Sequence, residues 1–285
     1  MRERDVQVVA DFGRQWERFD QTPLTKAELL EIFQAYFAVF PWDRLAPGAV
    51  GFDLGCGSGR WARVVAGRVG TLHCIEPSEA LEVAKRNLVD HPNCVFHRAG
   101  VENIPLPEAS ADFGYCLGVL HHVSDTEGGI RACVAKLKPG APFLLYLYYS
   151  FENRPAWFRL LWRASNALRR GLSAAPQPVK VACCELLAAL VYWPLARTAR
   201  VLERLGHAVE HLPLSAYRRR SFYVMRTDAL DRFGTKVEKR FARAEILAMM
   251  QRAGLRDVWF SNRPPYWVAL GFRAAERPAG QRTPE

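Results

Sequence analysis

The 285-residue chain lacks several features that would point elsewhere. It has no Cys-x-x-Cys pair, and its seven cysteines (56, 74, 94, 116, 133, 183 and 184) are odd in number and scattered. Most fall inside apolar strand or helix patterns, so they read as small core residues in a reducing compartment rather than a disulfide framework. No apolar stretch follows Arg2-Glu3-Arg4-Asp5, so no secretory signal is expected and the chain reads as cytoplasmic. The apolar run from Val181 to Ala196 is too short for a bilayer and contains Glu185 and Pro194, so a transmembrane helix is not expected. His207 and His211 lie four apart without a third ligand, so no metal site is expected.

Charge is not spread evenly. Residues 151–240 carry 17 Lys and Arg against 7 Asp and Glu, while the rest of the chain carries 22 against 22. The basic excess belongs to one segment, and an acidic partner would be sought there.

What is present is the stretch Val50-Gly51-Phe52-Asp53-Leu54-Gly55-Cys56-Gly57-Ser58-Gly59. An apolar run ends on an acid, and three glycines alternate after it. The run reads as a buried strand, and residues 60–68 as the helix that follows. Glycines at such a junction let the backbone turn sharply and bring its amides close to a ligand. The dinucleotide fingerprint G-x-G-x-x-G needs a third glycine where Arg60 stands, so it fails. Asp53, two residues before the first glycine, suits a cation better than a pyrophosphate. Residues 71–76 read as a second strand ending in Glu76, and a carboxylate there can accept both hydroxyls of a ribose.

In these residues the chain resembles the class I S-adenosylmethionine (SAM)-dependent methyltransferases, in the branch that acts on small molecules. Asp53 to Gly59 is similar to their first motif and Glu76 to their ribose acid. Asp112-Phe113-Gly114-Tyr115-Cys116 followed by Leu120-His121-His122-Val123 is similar to their fourth strand and its exit, and Leu137-Lys138-Pro139-Gly140 to the turn into strand five. The resemblance implies an α/β fold: a doubly wound, mostly parallel, seven-stranded Rossmann-like sheet with a helical insertion after strand five. It implies SAM as cofactor, S-adenosylhomocysteine as product, and a site at the carboxyl ends of the strands. The cofactor contacts it carries over are Asp53, Gly55, Cys56, Gly57, Gly59, Glu76, Pro77, Val101 and Leu117, with Trp16 from an N-terminal helix. Where the family places an acid for the adenine amino group this chain has Gly100, leaving backbone groups or Glu102 to hold the base.

The chain divides into an N-terminal helical lid (1–45), a SAM-binding core (46–150), a basic, aromatic-rich helical insertion (151–240), the last helix and two strands of the core (241–274), and a disordered tail (275–285). In the lid, Phe12, Trp16 and Phe19 share one helical face. In the insertion, Arg159, Arg163 and Arg170 form one stripe and Trp157, Leu161, Ala164 and Leu168 another. That segment reads either as a helical cap packed on the core or as a helix pair on a membrane surface, which would make the protein peripheral to a membrane. It is expected to form the acceptor pocket, with Tyr148 and Tyr149 at the exit of strand five. Arg218, Arg219 and Arg220 would serve a phosphate or carboxylate.

Histidine is suited to proton removal near neutral pH, and His121 and His122 follow strand four. His122, further from the strand, is the preferred base. The expected reaction is methyl transfer from SAM to a small or lipid-linked, anionic acceptor, on oxygen, nitrogen or carbon. Two other functions stay open: an RNA methyltransferase, and a non-catalytic SAM-fold subunit that binds a partner through the basic insertion. Against nucleic acid, enzymes that methylate base amino groups carry an Asn-Pro-Pro-Tyr-like turn after strand four, where this chain has Leu117-Gly118-Val119-Leu120. Asn262-Arg263-Pro264-Pro265-Tyr266 looks similar but lies between the last two strands. No Pro-Cys dipeptide is present for pyrimidine C5 chemistry, and no RNA-binding module is recognisable.

Overall fold

The computed structural model describes residues 3–275, and the tail expected over 275–285 lies, from residue 276, outside them. The chain opens with α1 (Glu3–Arg18) and α2 (Lys26–Tyr36), then alternates β1 (Val50–Leu54), α3 (Ala62–Val65), β2 (Thr71–Ile75), α4 (Ala80–Asn87) and β3 (Cys94–His97). After β4 (Phe113–Leu117), α5 (Thr126–Lys136) and β5 (Pro142–Tyr146) come the helices of the insertion: α6 (Ala156–Ser173), α7 (Gln177–Leu187), α8 (Trp193–Arg204) and α9 (Phe222–Gly234). The chain closes with α10 (Arg243–Arg252), β6 (Leu255–Phe260) and β7 (Val268–Arg273).

The seven strands form one sheet in the order β3-β2-β1-β4-β5-β7-β6. The first five run parallel, and β7 lies antiparallel between β5 and β6. All five residues of β4 are buried, as a parallel strand covered on both faces requires. Its contact with β1 is reciprocal: Gly51 pairs with Phe113 and Phe52 with Gly114. A Cβ at Gly51 would fall 2.2 Å from the Phe113 ring, and one at Gly114 would fall 2.3 Å from Phe52. Each strand leaves the space its neighbour's phenyl fills. The chain travels outward from β1 to β3 and returns at β4, so a crevice opens at the carboxyl ends of β1 and β4.

Local boundaries differ from the sequence expectation where turn chemistry intervenes. The helix expected over 60–68 is the single turn Ala62–Val65, tightened into a 3₁₀ turn over Ala66–Arg68. Glu79 holds the cap position of α4; beside it the Ser78 hydroxyl accepts from the Ala80 amide at 3.2 Å and donates to Glu76. Gly254, just past the end of α10, has a φ of +92°, a left-handed value suited to glycine.

The insertion corrects a larger expectation. A π turn over Ala188–Tyr192 joins α7 to α8 without a break, giving one 28-residue helix from Gln177 to Arg204 that is long and apolar enough to cross a membrane. The length argument against a span therefore fails. Pro194 is tolerated because the π turn just before it shifts the local ladder: the Trp193 amide reaches back to the Ala188 carbonyl. One side of this helix is occupied by protein. Cys184, Ala188, Tyr192 and Ala196 pack against Met225, Ala229 and Phe233 of α9, together with Phe19 just after α1. Arg226 grips both oxygens of Glu185 at 2.5 and 2.6 Å across the same contact.

Candidate active site

The loop after β1 turns through left-handed glycines at 55, 57 and 59, with φ of 75°, 54° and 79°. At Gly57 the constraint is also spatial, because a Cβ there would meet the Trp16 indole nitrogen at 3.1 Å. The indole of α1 therefore lies directly on the loop.

Glu76 sits at the tip of β2, nearly fully buried, and its carboxylate holds this loop. Oε2 accepts from the Gly57 amide at 3.1 Å, while Oε1 accepts from the Ser78 amide at 3.0 Å and the Ser78 hydroxyl at 2.5 Å. Burial raises its pKa, and the Ser78 and Gly57 hydrogen bonds oppose the rise. Asp53 lies beneath the loop, 1% exposed, with no hydrogen-bond partner for Oδ2. Burial pushes its pKa up to about 8. At the far end, Gly100 and Glu102 form a unit. A Cβ on Gly100 would fall 2.7 Å from Glu102 Oε2, so this carboxylate fills the space that a side chain at position 100 would take.

Two histidines follow β4 and differ in role. His121 is fully buried, its ring stacked on Tyr148 with centroids 3.8 Å apart, and neither ring nitrogen has a partner. Burial holds its pKa well below the usual value. His122 Nδ1 lies 2.6 Å from the Val237 carbonyl, which can only accept, so Nδ1 carries the hydrogen and Nε2 is left with a bare lone pair. Burial lowers its pKa to about 4.

Opposite them, α9 turns Asp228 and Asp231 inward, three apart on one face. The Tyr148 hydroxyl donates to Asp231 Oδ2. Burial pushes both carboxylates up to about 6; Arg60 is the strongest opposing influence on Asp228, and the Tyr148 hydrogen bond on Asp231.

A cavity of about 940 Å³ joins these parts. Of the residues expected at the site, all but Asp53, Gly59 and His121 line it. Those three face elsewhere for identifiable reasons. Asp53 is covered by the loop it precedes, Gly59 turns toward Leu88 of α4, and His121 is packed between His122 and Tyr148. Arg218, Arg219 and Arg220 reach the cavity already paired: the first two with Glu203 at 2.8 and 3.1 Å, the third with Glu31 at 3.1 Å. Sequence reasoning missed Asp228 and Asp231, which carry no motif. It also set aside the 262–266 turn, whose Pro264, Pro265 and Tyr266 stand on the cavity wall.

Residues 52–145, about a third of the chain, match the family model Methyltransf_11, described as a methyltransferase domain. The ubiquinone biosynthesis O-methyltransferase of Methylocella silvestris is 31% identical over 126 residues, covering 41% of this chain and 49% of that protein. The "Probable tRNA methyltransferase 9B" of Mus musculus is 30% identical over 105 residues, covering 36% and 22%. The chain thus spans about half the length of the first of these relatives and less of the second. A chain of the complex between the Haloferax volcanii Trm112 methyltransferase activator and a methyltransferase superposes with a TM-score of 0.50 at 16% identity, over 96% of this chain and 99% of that one. At that identity the likeness is one of fold.

Proposed function

We infer that this chain, a class I SAM-dependent methyltransferase by its core, transfers a methyl group from SAM to a hydroxyl of a small-molecule acceptor. One observation carries the reading: a single cavity runs from the glycine loop to a pair of half-buried carboxylates on the insertion. The loop end fits SAM. Its glycines leave a cradle under Trp16, Glu76 presents a carboxylate at the ribose position, and the orphaned Asp53 Oδ2 sits beneath where a cationic methionine end would lie. Glu102, folded over Gly100, is the acid nearest the adenine position. SAM supplies an activated methyl, because its sulfonium leaves as a neutral thioether.

The protein's part is to hold the acceptor hydroxyl and take its proton. Asp231 suits that task better than His122. A carboxylate near 6 is charged at neutral pH and still basic, whereas an imidazole lowered to about 4 is the weaker base by some two units. Tyr148 donates to Asp231 and so fixes the orientation of the carboxylate. His122 Nε2 offers a second acceptor for a hydroxyl, and Tyr149 completes that wall. O-methylation is also the chemistry named for the Methylocella silvestris relative. All seven cysteines are unpaired, which supports work in the cytoplasm.

The test is formation of S-adenosylhomocysteine by the purified chain with SAM and a panel of phenols and alcohols. Product that appears with hydroxyl acceptors and falls in Asp231→Asn supports the reading. Product that appears only with tRNA, or SAM binding without turnover on either class, overturns it.

A further inference from the structure

We propose that the outward face of the insertion docks on an anionic lipid bilayer, with the cavity mouth opening at that face. The surface is built from α6 and the Gln177–Arg204 helix. On α6, Trp157, Leu160, Leu161 and Leu168 are 48–67% exposed among the described residues, a stripe at helical spacing. On the longer helix, Val179, Leu186, Leu190, Trp193 and Val201 are 40–71% exposed. So much exposed leucine and tryptophan on two helices of one segment is uncommon on a purely water-facing surface.

The charge around it selects the partner. Arg159, Arg163 and Arg170 run down α6 beside the apolar stripe, and Arg200 and Arg204 close the end of the longer helix. All five are exposed, and none is paired with a carboxylate among the described residues. Apolar side chains flanked by unpaired arginines are the pattern of a helix lying in the headgroup layer of an acidic membrane. The long helix lies on such a surface rather than across it. Only 28% of its most apolar window is buried, and the helix packs on α9 through Cys184, Ala188, Tyr192 and Ala196. Crossing a bilayer would require that contact, with the Arg226–Glu185 pair, to open. Leu161, Val191 and Leu195 belong to both features: they are 38–51% exposed and they line the cavity. An acceptor with an apolar tail would thus pass from lipid into the site without crossing water. This last step rests on reading the cavity as the acceptor site; the docking does not.

Co-sedimentation of the full chain with vesicles tests the docking. Vesicles of phosphatidylglycerol and phosphatidylcholine are expected to bring the protein down, pure phosphatidylcholine vesicles far less, and salt to release it. The triple change Arg159→Gln, Arg163→Gln and Arg170→Gln should weaken binding on the order of 100-fold. The pair Leu160→Glu and Leu190→Glu, neither of which lines the cavity, should abolish binding while SAM affinity and melting temperature hold. Failure to bind acidic vesicles overturns the proposal. So does a dimer, without vesicles, that the leucine pair dissolves, since a second copy would then be what covers the face. Either failure alongside intact SAM turnover leaves the methyltransferase reading standing. Vesicle binding without turnover removes that reading alone.

Discussion

The Glu76 carboxylate accepts a hydrogen bond from the Gly57 amide at 3.1 Å, so the tip of the second strand holds the loop that leaves the first. The loop is short of side chains of its own and depends on what surrounds it. Trp16 covers one side, Glu76 anchors the other, and Asp53 lies below. Two carboxyl groups, both with pKa raised by burial, stand close to where the ammonium- and sulfonium-bearing end of the cofactor would sit.

Removal of Asp53 should change how stability responds to pH. The folded pKa is raised to about 8, above the ordinary carboxylate value, so its contribution is present at low pH and is lost as pH rises toward 8. Between about pH 6 and pH 8 the wild type should lose on the order of 1–2 kcal/mol relative to Asp53→Asn. Denaturant unfolding of both proteins across that range measures it, and parallel curves would rule the shift out.

Asp231→Asn should lower kcat about 10²- to 10⁴-fold, the usual range for a lost general base, and leave SAM affinity unchanged. In the wild type, kcat should rise through about pH 6 as the carboxylate ionises, and the variant should lose that limb. Tyr148→Phe should keep the limb at a lower rate. A pH profile that is the same in wild type and Asp231→Asn would move the base elsewhere, with His122 the next to test.

Glu102→Ala should weaken SAM binding by about tenfold, the scale of one hydrogen bond to a charged group. Gly100→Ala should do the same by displacing that carboxylate, since its Cβ would fall 2.7 Å from Oε2. Calorimetric titration of the two variants reads both. Unchanged affinity in Glu102→Ala would leave adenine to backbone groups.

The β1–β4 contact makes a prediction about folding alone. Gly51→Ala should cost about 1–3 kcal/mol through overpacking, and Phe113→Leu in the same chain should recover part of it. Thermal melts of the single and double variants test the coupling, and strict additivity would contradict it.

The alternating strands were legible because each announces itself locally: apolar runs, glycine turns and acids at fixed offsets from 50 to 140. The glycine loop and Glu76 stand out in the candidate site for the same reason. Asp228 and Asp231 do not. They are two ordinary acids on an insertion with no motif, and only tertiary packing turns them into the cavity. The arginines at 218–220 were legible as a cationic run, but the distant Glu31 and Glu203 that pair with them were not. In the sequence, Pro194 and Glu185 argue against a membrane-crossing helix over the apolar run at 181–196. A π turn and Arg226 accommodate them, and neither signal lies within the run itself.

The most direct measurement is calorimetric titration of SAM into the wild-type chain and into Glu76→Ala. A saturable heat in the wild type, lost by roughly 100-fold or more in the variant, is the predicted result. No heat with SAM in the wild type, or equal affinity in both proteins, would contradict the account.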